Sequence, residues 1–234
     1  MIKKAMILAA GFGKRIHPLT LSCPKPLLKI GSKTLLSNSI KFLQKFGIKE
    51  IVINVHYLSE QIVEYISNKN FNLQITIVKE KKNILDTGGG VLNAINHFSD
   101  KPFIVINPDT LWNFEYLKEL KLMENNFFLN KKNKCTLLVV NKSMSYDKAL
   151  KADFKLKNNL ISRKKNDNLK YIYTGLQIIN PVVFFGLKVK IFSINKIWDK
   201  LILNNELNGI ESNISFLHVS TLKIYKSLKK LNFK

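Results

Sequence analysis

Cysteine is scarce. Cys23 and Cys135 alone are too few for a disulfide framework and lack metal-site spacing, so both are expected to be ordinary reduced thiols. No run of 18 or more apolar residues occurs, and the N-terminus runs "MIKKAMILAA" into a glycine-containing turn rather than a signal-peptide cleavage pattern. This predicts a cytoplasmic chain with no membrane partner. Acidic residues number 16 against 38 basic ones, a formal charge of +22 that invites a nucleic-acid reading. The lysines, however, are scattered through every segment, with no aromatic-interleaved basic stripe and no helix-turn-helix signature. Biased composition is the better account, and no specific nucleic acid is expected. Arginine is nearly missing too. Only Arg15 and Arg163 are present, and where lysine serves almost everywhere else an arginine suggests a site that needs a planar fork of donors. No internal repeat is visible, and the lack of a hexapeptide series argues against a left-handed β-helix.

What is present is an alternation of short apolar runs and periodic segments, in a chain of 234 residues that is 46% hydrophobic. That length can bury a full core as one domain, with a first part over about 1–130 and a second over about 131–234 that ends in a closing helix. "KAMILAA", "EIVINV", "LQITIV" and "PFIVI" read as strands. Between them lie a helix from Leu35 to Phe46 ended by Gly47, a helix over 59–66 with Ser59 as N-cap, and a helix from "DTGGG" through Ala94 and His97. This spacing predicts an α/β fold, a Rossmann-like, doubly wound, mostly parallel sheet with helices on both faces. After Asn130 the pattern loosens into short strands around "CTLLVV", "ALKADFKL" and "YIYTGLQII", expected to form a smaller mixed-sheet region beside the main sheet. "SINKIWDKLI" reads as a helix, and "SNISFLHVSTLKIYKSLKKL" as a strand and a closing helix capped by Ser220 or Thr221.

The stretch "LAAGFGKRIHPLTLSCPKPLLKI" concentrates the chemistry. A glycine turn after a strand lets backbone N–H groups approach phosphate oxygens, a use that Gly11 and Gly13 fit. Lys14 and Arg15 stand beside the turn, and Lys25 is fixed between two prolines. Rigid cations around a glycine turn suit a polyphosphate. The spacing is neither a P-loop nor a dinucleotide fingerprint. Asp109 closes the strand of "NPDTLW", where either a metal-binding carboxylate or a helix N-cap is expected. Gly175 in "YTGLQI" is equally a bulge glycine. His56 could hold nucleotide or be a capping or core histidine, Arg163 could reach a phosphate or lie in a solvated loop, Asp86 reads as a cap, and His17 and His97 have no visible partners.

These residues resemble the signature of the sugar-1-phosphate nucleotidyltransferases, L-A-A-G-x-G-x-R followed by P-L-T and P-K-P-L, with "DTGGGV" similar to the family's second loop and "NPDT" to its metal-binding strand end. The similarity runs from about Ile2 to Leu231. Within the family, "VHYLSEQI", "LDTGGGV", "YIYTGLQII" and "FSINKIWDKLI" resemble the short N-acetylmuramate-1-phosphate uridylyltransferases.

The resemblance implies attack by a sugar-1-phosphate oxygen on the α-phosphorus of a nucleoside triphosphate, best guessed as UTP, with pyrophosphate leaving. It implies catalytic roles for Arg15, Lys25 and Asp109, and nucleotide contacts for Leu8, Ala10, Gly11, Gly13, Lys14, Arg15, Gly88 and Gly89. Lys25 and Gly175 would meet the sugar-phosphate, and Asp109 would ligate Mg²⁺ or Mn²⁺. Relatives usually carry W-x-D-V-G-T near the C-terminus, whose aspartate is a second ligand. This chain reads "FLHVST", with Phe216, His218 and Ser220 at the changed positions, so His218 becomes the second candidate ligand and the metal count stays open. Rival readings are a mannose- or glucose-1-phosphate enzyme using GTP or dTTP, and a catalytically silent regulatory subunit. Nothing in the sequence fixes the oligomeric state.

Overall fold

The structure, a computed structural model, describes residues 1–164 and 168–231. Its strands are β1 (Lys4–Leu8), β2 (Lys29–Ile30), β3 (Lys33–Thr34), β4 (Glu50–Val55), β5 (Gln74–Lys79), β6 (Phe103–Ile106), β7 (Cys135–Asn141), β8 (Lys155–Lys157), β9 (Leu160–Ser162), β10 (Tyr171–Ile179) and β11 (Leu207–Ser212). The helices are α1 (Leu35–Phe46), α2 (Ser59–Ser67), α3 (Asp86–Asn93), α4 (Tyr116–Leu129), α5 (Asn195–Leu203) and α6 (Leu222–Lys229). Nine of the strands form one sheet in the order β5-β4-β1-β6-β10-β7-β11-β9-β8, while β2 and β3 pair as a separate hairpin. Parallel pairing joins β5, β4, β1 and β6, with Met6 opposite Val52 on one side and Val105 on the other. Chain order therefore reverses between β1 and β6, and in open α/β sheets the crevice beyond the strand ends at such a reversal is where ligands bind.

The period-2 pattern of the strands sorts two cores. Ala5, Ile7, Ile104 and Ile106 face Leu36, Ile40, Leu43 of α1 and Leu120, Met123 of α4, whereas Met6, Phe103 and Val105 face Val91 and Leu92 of α3 and Ile197, Trp198 and Leu201 of α5. Each fully buried side chain of this size contributes roughly 1.5–3 kcal/mol by area removed from water. Thr34 caps α1 by accepting the Ser37 N–H at 3.0 Å, and Gly47 ends it.

Several expectations need correction. The strands after Asn130 do not form a region beside the main sheet, because β10 pairs antiparallel with β6 and carries the sheet on through β7 and β11. Strand β11 itself was not expected. Ser59 does not cap α2; Leu58, left-handed at φ 49°, precedes the helix and the Ser59 hydroxyl turns to Glu60. Helix α3 stops at Asn93, and a separate 3₁₀ turn covers Ile95–Phe98. The stretch before α6 is held by isolated bridges at Phe216 and His218 rather than as a strand, and Thr221, not Ser220, caps α6. Among the described residues no helix is long and apolar enough to cross a membrane.

Candidate active site

A cleft of about 440 Å³ opens at the carboxyl ends of β1 and β6. Leu8, Ala10, Gly11, Gly13, Lys14, Arg15, Lys25 and Asp109 all line it, although up to 101 residues separate them in the chain. Gly13 is left-handed at φ 66°, and a Cβ there would lie 3.0 Å from Thr20 Cγ2 and 3.1 Å from Lys25 Cβ, so glycine meets both a backbone and a packing requirement. The Thr20 hydroxyl donates to the Gly13 carbonyl at 2.9 Å and closes the turn. Gly11 has open space where a Cβ would be. Arg15 is exposed in the cleft wall, and Lys14 stands over the Phe12 ring, 5.3 Å from its centroid.

Lys25 opens a 3₁₀ turn whose backbone is held by Pro24 and Pro26, and its ammonium donates to Asp109 Oδ2 at 2.5 Å. The two side chains are only 14% and 18% exposed, which makes this a largely desolvated pair. Asp109 does not cap a helix; α4 starts seven residues later. Burial raises its carboxyl, but the Lys25 charge, the His218 ring and the hydrogen bond from Lys25 outweigh burial and bring it down to about 2. It is therefore ionised at neutral pH. Asp109 Oδ1 is buried and accepts no hydrogen bond, and His218 Nδ1 lies 3.6 Å from it. Burial lowers the His218 ring below its ordinary 6.5, with Lys25 and Arg15 adding to that and Asp109 and Asp147 opposing it, so the imidazole is neutral at pH 7.

Gly175 lies at the register shift of β10 with φ 95°, and a Cβ there would meet Asn107 Cβ at 2.9 Å. The bulge reading is met, and it places the glycine against the same strand end that carries Asp109. Gly88 and Gly89 depart from expectation. Both N–H groups donate to the Phe192 carbonyl, at 2.9 and 3.0 Å, and a Cβ would strike the Phe192 ring at 2.4 Å or the Lys190 carbonyl at 2.3 Å. They seat α3 on the 190–194 segment, and Asp86 and Thr87 line the cleft in their stead. Asp86 does turn its carboxylate onto the following Thr87 N–H, at 2.6 Å, from inside the first turn rather than ahead of it. His56 Nδ1 lies 2.8 Å from the Glu80 carbonyl, and Arg163 is bound to Asp199 and Asn195 of α5.

Two residues of the cleft wall were not anticipated. Asn54 accepts the Ala9 N–H at 3.0 Å and donates to Glu80 Oε1 at 2.7 Å, while Glu80 Oε2 accepts the Leu85 N–H at 2.7 Å. This buried chain joins the glycine turn to the ends of β4 and β5 and to the start of α3. Gly90 makes room for it, since a Cβ there would fall 2.8 Å from the Asn54 amide. The signal was an asparagine interrupting the apolar run of β4.

With the cleft described, comparison with known proteins assigns the chain to a family. The family model described as nucleotidyl transferase matches residues 4–148. This chain belongs to the nucleotidyl transferase family. It is 26% identical over 226 residues to the N-acetylmuramate alpha-1-phosphate uridylyltransferase of Caulobacter vibrioides, covering 93% of this chain and 91% of that protein. It is 38% identical over 114 residues to the protein of the same name from Neisseria meningitidis, covering 48% and 49% of the two chains. To a probable mannose-1-phosphate guanylyltransferase of rice it is 28% identical over 200 residues, 82% of this chain and 54% of the relative, so it spans about half the length of several of its curated relatives. Among solved structures, a UDP-glucose pyrophosphorylase complexed with UDP-glucose superposes with a TM-score of 0.77 at 16% identity, covering 98% of this chain and 97% of that one, and shows the shared fold.

Proposed function

We propose that this nucleotidyltransferase joins a nucleoside triphosphate to a sugar-1-phosphate, with UTP and N-acetylmuramate-1-phosphate as substrates, releasing pyrophosphate. The observation that carries this reading is the Asp109 carboxylate, held ionised by Lys25 yet with one buried oxygen lacking any partner, at the end of a cleft whose far wall is a glycine turn flanked by Lys14 and Arg15. A carboxyl with its pKa near 2 neither accepts nor gives a proton near neutrality, so general acid–base work is a poor use for it. The reaction needs none: a phosphate monoester is largely dianionic at pH 7 and is already a nucleophile. Its oxygen forms the new bond to the α-phosphorus as the bond to the β-phosphate oxygen breaks. The chain's own residues align and neutralise. On this reading Lys25 serves the reacting phosphates, Arg15 offers a fork of donors to the leaving pyrophosphate, and the turn offers backbone N–H groups from Gly11 to Gly13.

The donor set also fits a hard divalent cation. Asp109 Oδ1 is orphaned and His218 Nδ1 is close by, a carboxylate and an imidazole, and Mg²⁺ characteristically binds through one or two protein ligands plus substrate phosphates and water. Bound there, the cation would neutralise phosphate charge. Manganese suits the imidazole better than magnesium. The choice of UTP and a muramate sugar draws support from the Caulobacter relative, which matches nearly end to end; a guanylyltransferase acting on mannose-1-phosphate is the second reading, supported by the rice relative. Pyrophosphate release measured over a matrix of nucleoside triphosphates and sugar-1-phosphates tests both. Turnover is expected to be highest with UTP and N-acetylmuramate-1-phosphate, and no turnover with any pair would refute the proposal.

A further inference from the structure

Three side chains near the C-terminus, Phe216, His218 and Ser220, alternate along one extended strap and are tied down one by one. The strap lies beside the 109–111 segment: the Val219 N–H donates to the Asp109 carbonyl at 2.8 Å and the Leu111 N–H to the Leu217 carbonyl at 2.8 Å. Its other edge is held by the Phe216 N–H on the Met144 carbonyl at 3.0 Å and the Tyr146 N–H on the Phe216 carbonyl at 3.0 Å. The Phe216 ring, 1% exposed, stacks nearly parallel on the His218 ring, 12° between planes and 5.5 Å between centroids. Ser220, also 1% exposed, donates its hydroxyl to Asp147 Oδ2, and Asp147 in turn accepts the Ala149 N–H on Oδ1 at 3.0 Å. The Ser145 hydroxyl closes the same loop on the Asp147 carbonyl at 2.9 Å.

We propose that Asp147 and Ser220, with Phe216, are positioning residues that fix the His218 imidazole beside Asp109 Oδ1 so that carboxylate and imidazole act as one cation-binding pair. The inference rests on the divalent cation of the proposed function. The Thr110 hydroxyl, 3.5 Å from His218 Nδ1, and the stacked Phe216 ring touch the imidazole directly, but neither fixes the strap's height. The buried bond two residues on supplies that restraint, because the Ser220 N–H donates to the His218 carbonyl at 2.9 Å and its hydroxyl is held by a carboxylate from a different loop. A buried carboxylate with both oxygens engaged costs desolvation energy. Here one oxygen takes the Ser220 hydroxyl of the strap and the other closes the Asp147 loop on the Ala149 N–H, so the carboxylate ties the strap to a turn of fixed shape. Phe216, His218 and Ser220 thus form one mechanical unit.

The test uses Mn²⁺ alone, so that it stands whether or not nucleotidyl transfer is confirmed. Mn²⁺ affinity is measured by the electron paramagnetic resonance of the free ion, alongside the Mn²⁺-induced broadening of the His218 ring proton, assigned with His218→Ala. Ser220→Ala and Asp147→Ala are expected to weaken Mn²⁺ binding about five- to tenfold, whereas in the His218→Ala background neither changes it by more than about twofold. Asp147→Asn is expected to restore most of the affinity, since its amide can donate to the Ser220 hydroxyl while its oxygen keeps the Ala149 N–H. Should Asp147→Ala fail to fold, Ser220→Ala and Ser220→Gly carry the test. Unchanged affinity in folded Ser220→Ala, equal losses with and without His218, or no Mn²⁺ binding near the His218 ring in the unaltered protein would overturn the inference. Absence of turnover with intact Mn²⁺ behaviour would refute the transferase reading and leave this one standing.

Discussion

Replacing Lys25 by methionine keeps the length of the side chain and deletes its charge, leaving Asp109 ionised in a site where its carboxylate is 18% exposed and Oδ1 has no donor. The size of the effect follows from the carboxyl. Holding it near 2 rather than its ordinary 3.8 corresponds to about 2 kcal/mol of folded-state stability at pH 7, and the Lys25 charge is the largest of the favourable causes. Burial remains after the substitution and pushes the other way, so Lys25→Met should cost about 2 kcal/mol or somewhat more, a fall in Tm of about 4–8 °C in a chain of this size. The sign in pH is fixed by a depressed carboxyl: its contribution is present above about pH 4 and is lost as pH falls towards 2, so the gap between variant and parent should narrow over that range. Urea unfolding from pH 7 to pH 3, with Asp109→Asn as second background, measures it. If Lys25→Met costs the same with Asn at 109, or if the gap is flat with pH, the ion pair does not hold Asp109 as described.

Arg15→Ala should lower kcat/KM about 10²-fold or more while leaving Tm within about 1 °C, since Arg15 is exposed; steady-state kinetics and thermal melts of the same preparation check both halves. His218→Ala should cost roughly ten- to a hundredfold in rate, less than Asp109→Ala, and His218→Asp should stay active with stronger metal dependence, as read from metal titrations of activity. Gly89→Ala should destabilise by about 1–3 kcal/mol, because its Cβ would lie 2.3 Å from the Lys190 carbonyl, a backbone atom that cannot step aside; denaturant unfolding measures this, and a neutral result would show that the 190–194 segment yields. Asn54→Ala should cost about 1–3 kcal/mol by stripping the Ala9 N–H and Glu80 of their partner, with a rise in KM for the nucleotide in the same variant.

The parts of the fold that could be read in advance were those whose cause is local. Helix α1 has its cap, its apolar stripe and its terminal glycine within fourteen residues, and β1, β4 and β6 are short apolar runs flanked by turn residues. Strand β11 reads "LNGIES" and hides its nature, because Asn208 is buried against Asn126 of α4 and Gly209 is required only where Ile161 of β9 comes within 2.5 Å of its absent Cβ. The left-handed Leu58 ahead of α2 carries no residue signature either. In the site, the glycine turn, Lys25 and Asp109 were legible from residue type and order, and the structure brings them together. The roles of Gly88 and Gly89 were not, since two glycines that lie against a base or ribose and two that admit a neighbouring carbonyl look alike until the 190–194 segment is in place. The Asn54–Glu80 link joins residues 26 apart whose meeting depends on the register of β4 and β5.

The account turns on which phosphorus is attacked and where the two fragments go. UTP labelled separately at the α- and γ-phosphates, incubated with N-acetylmuramate-1-phosphate and Mg²⁺, decides this directly. The α label is predicted in a nucleoside diphosphate sugar and the γ label in pyrophosphate, in equal amounts. The γ label in a sugar phosphate, or in inorganic phosphate with no sugar product, would contradict the assignment of Lys25, Arg15 and Asp109 to nucleotidyl transfer.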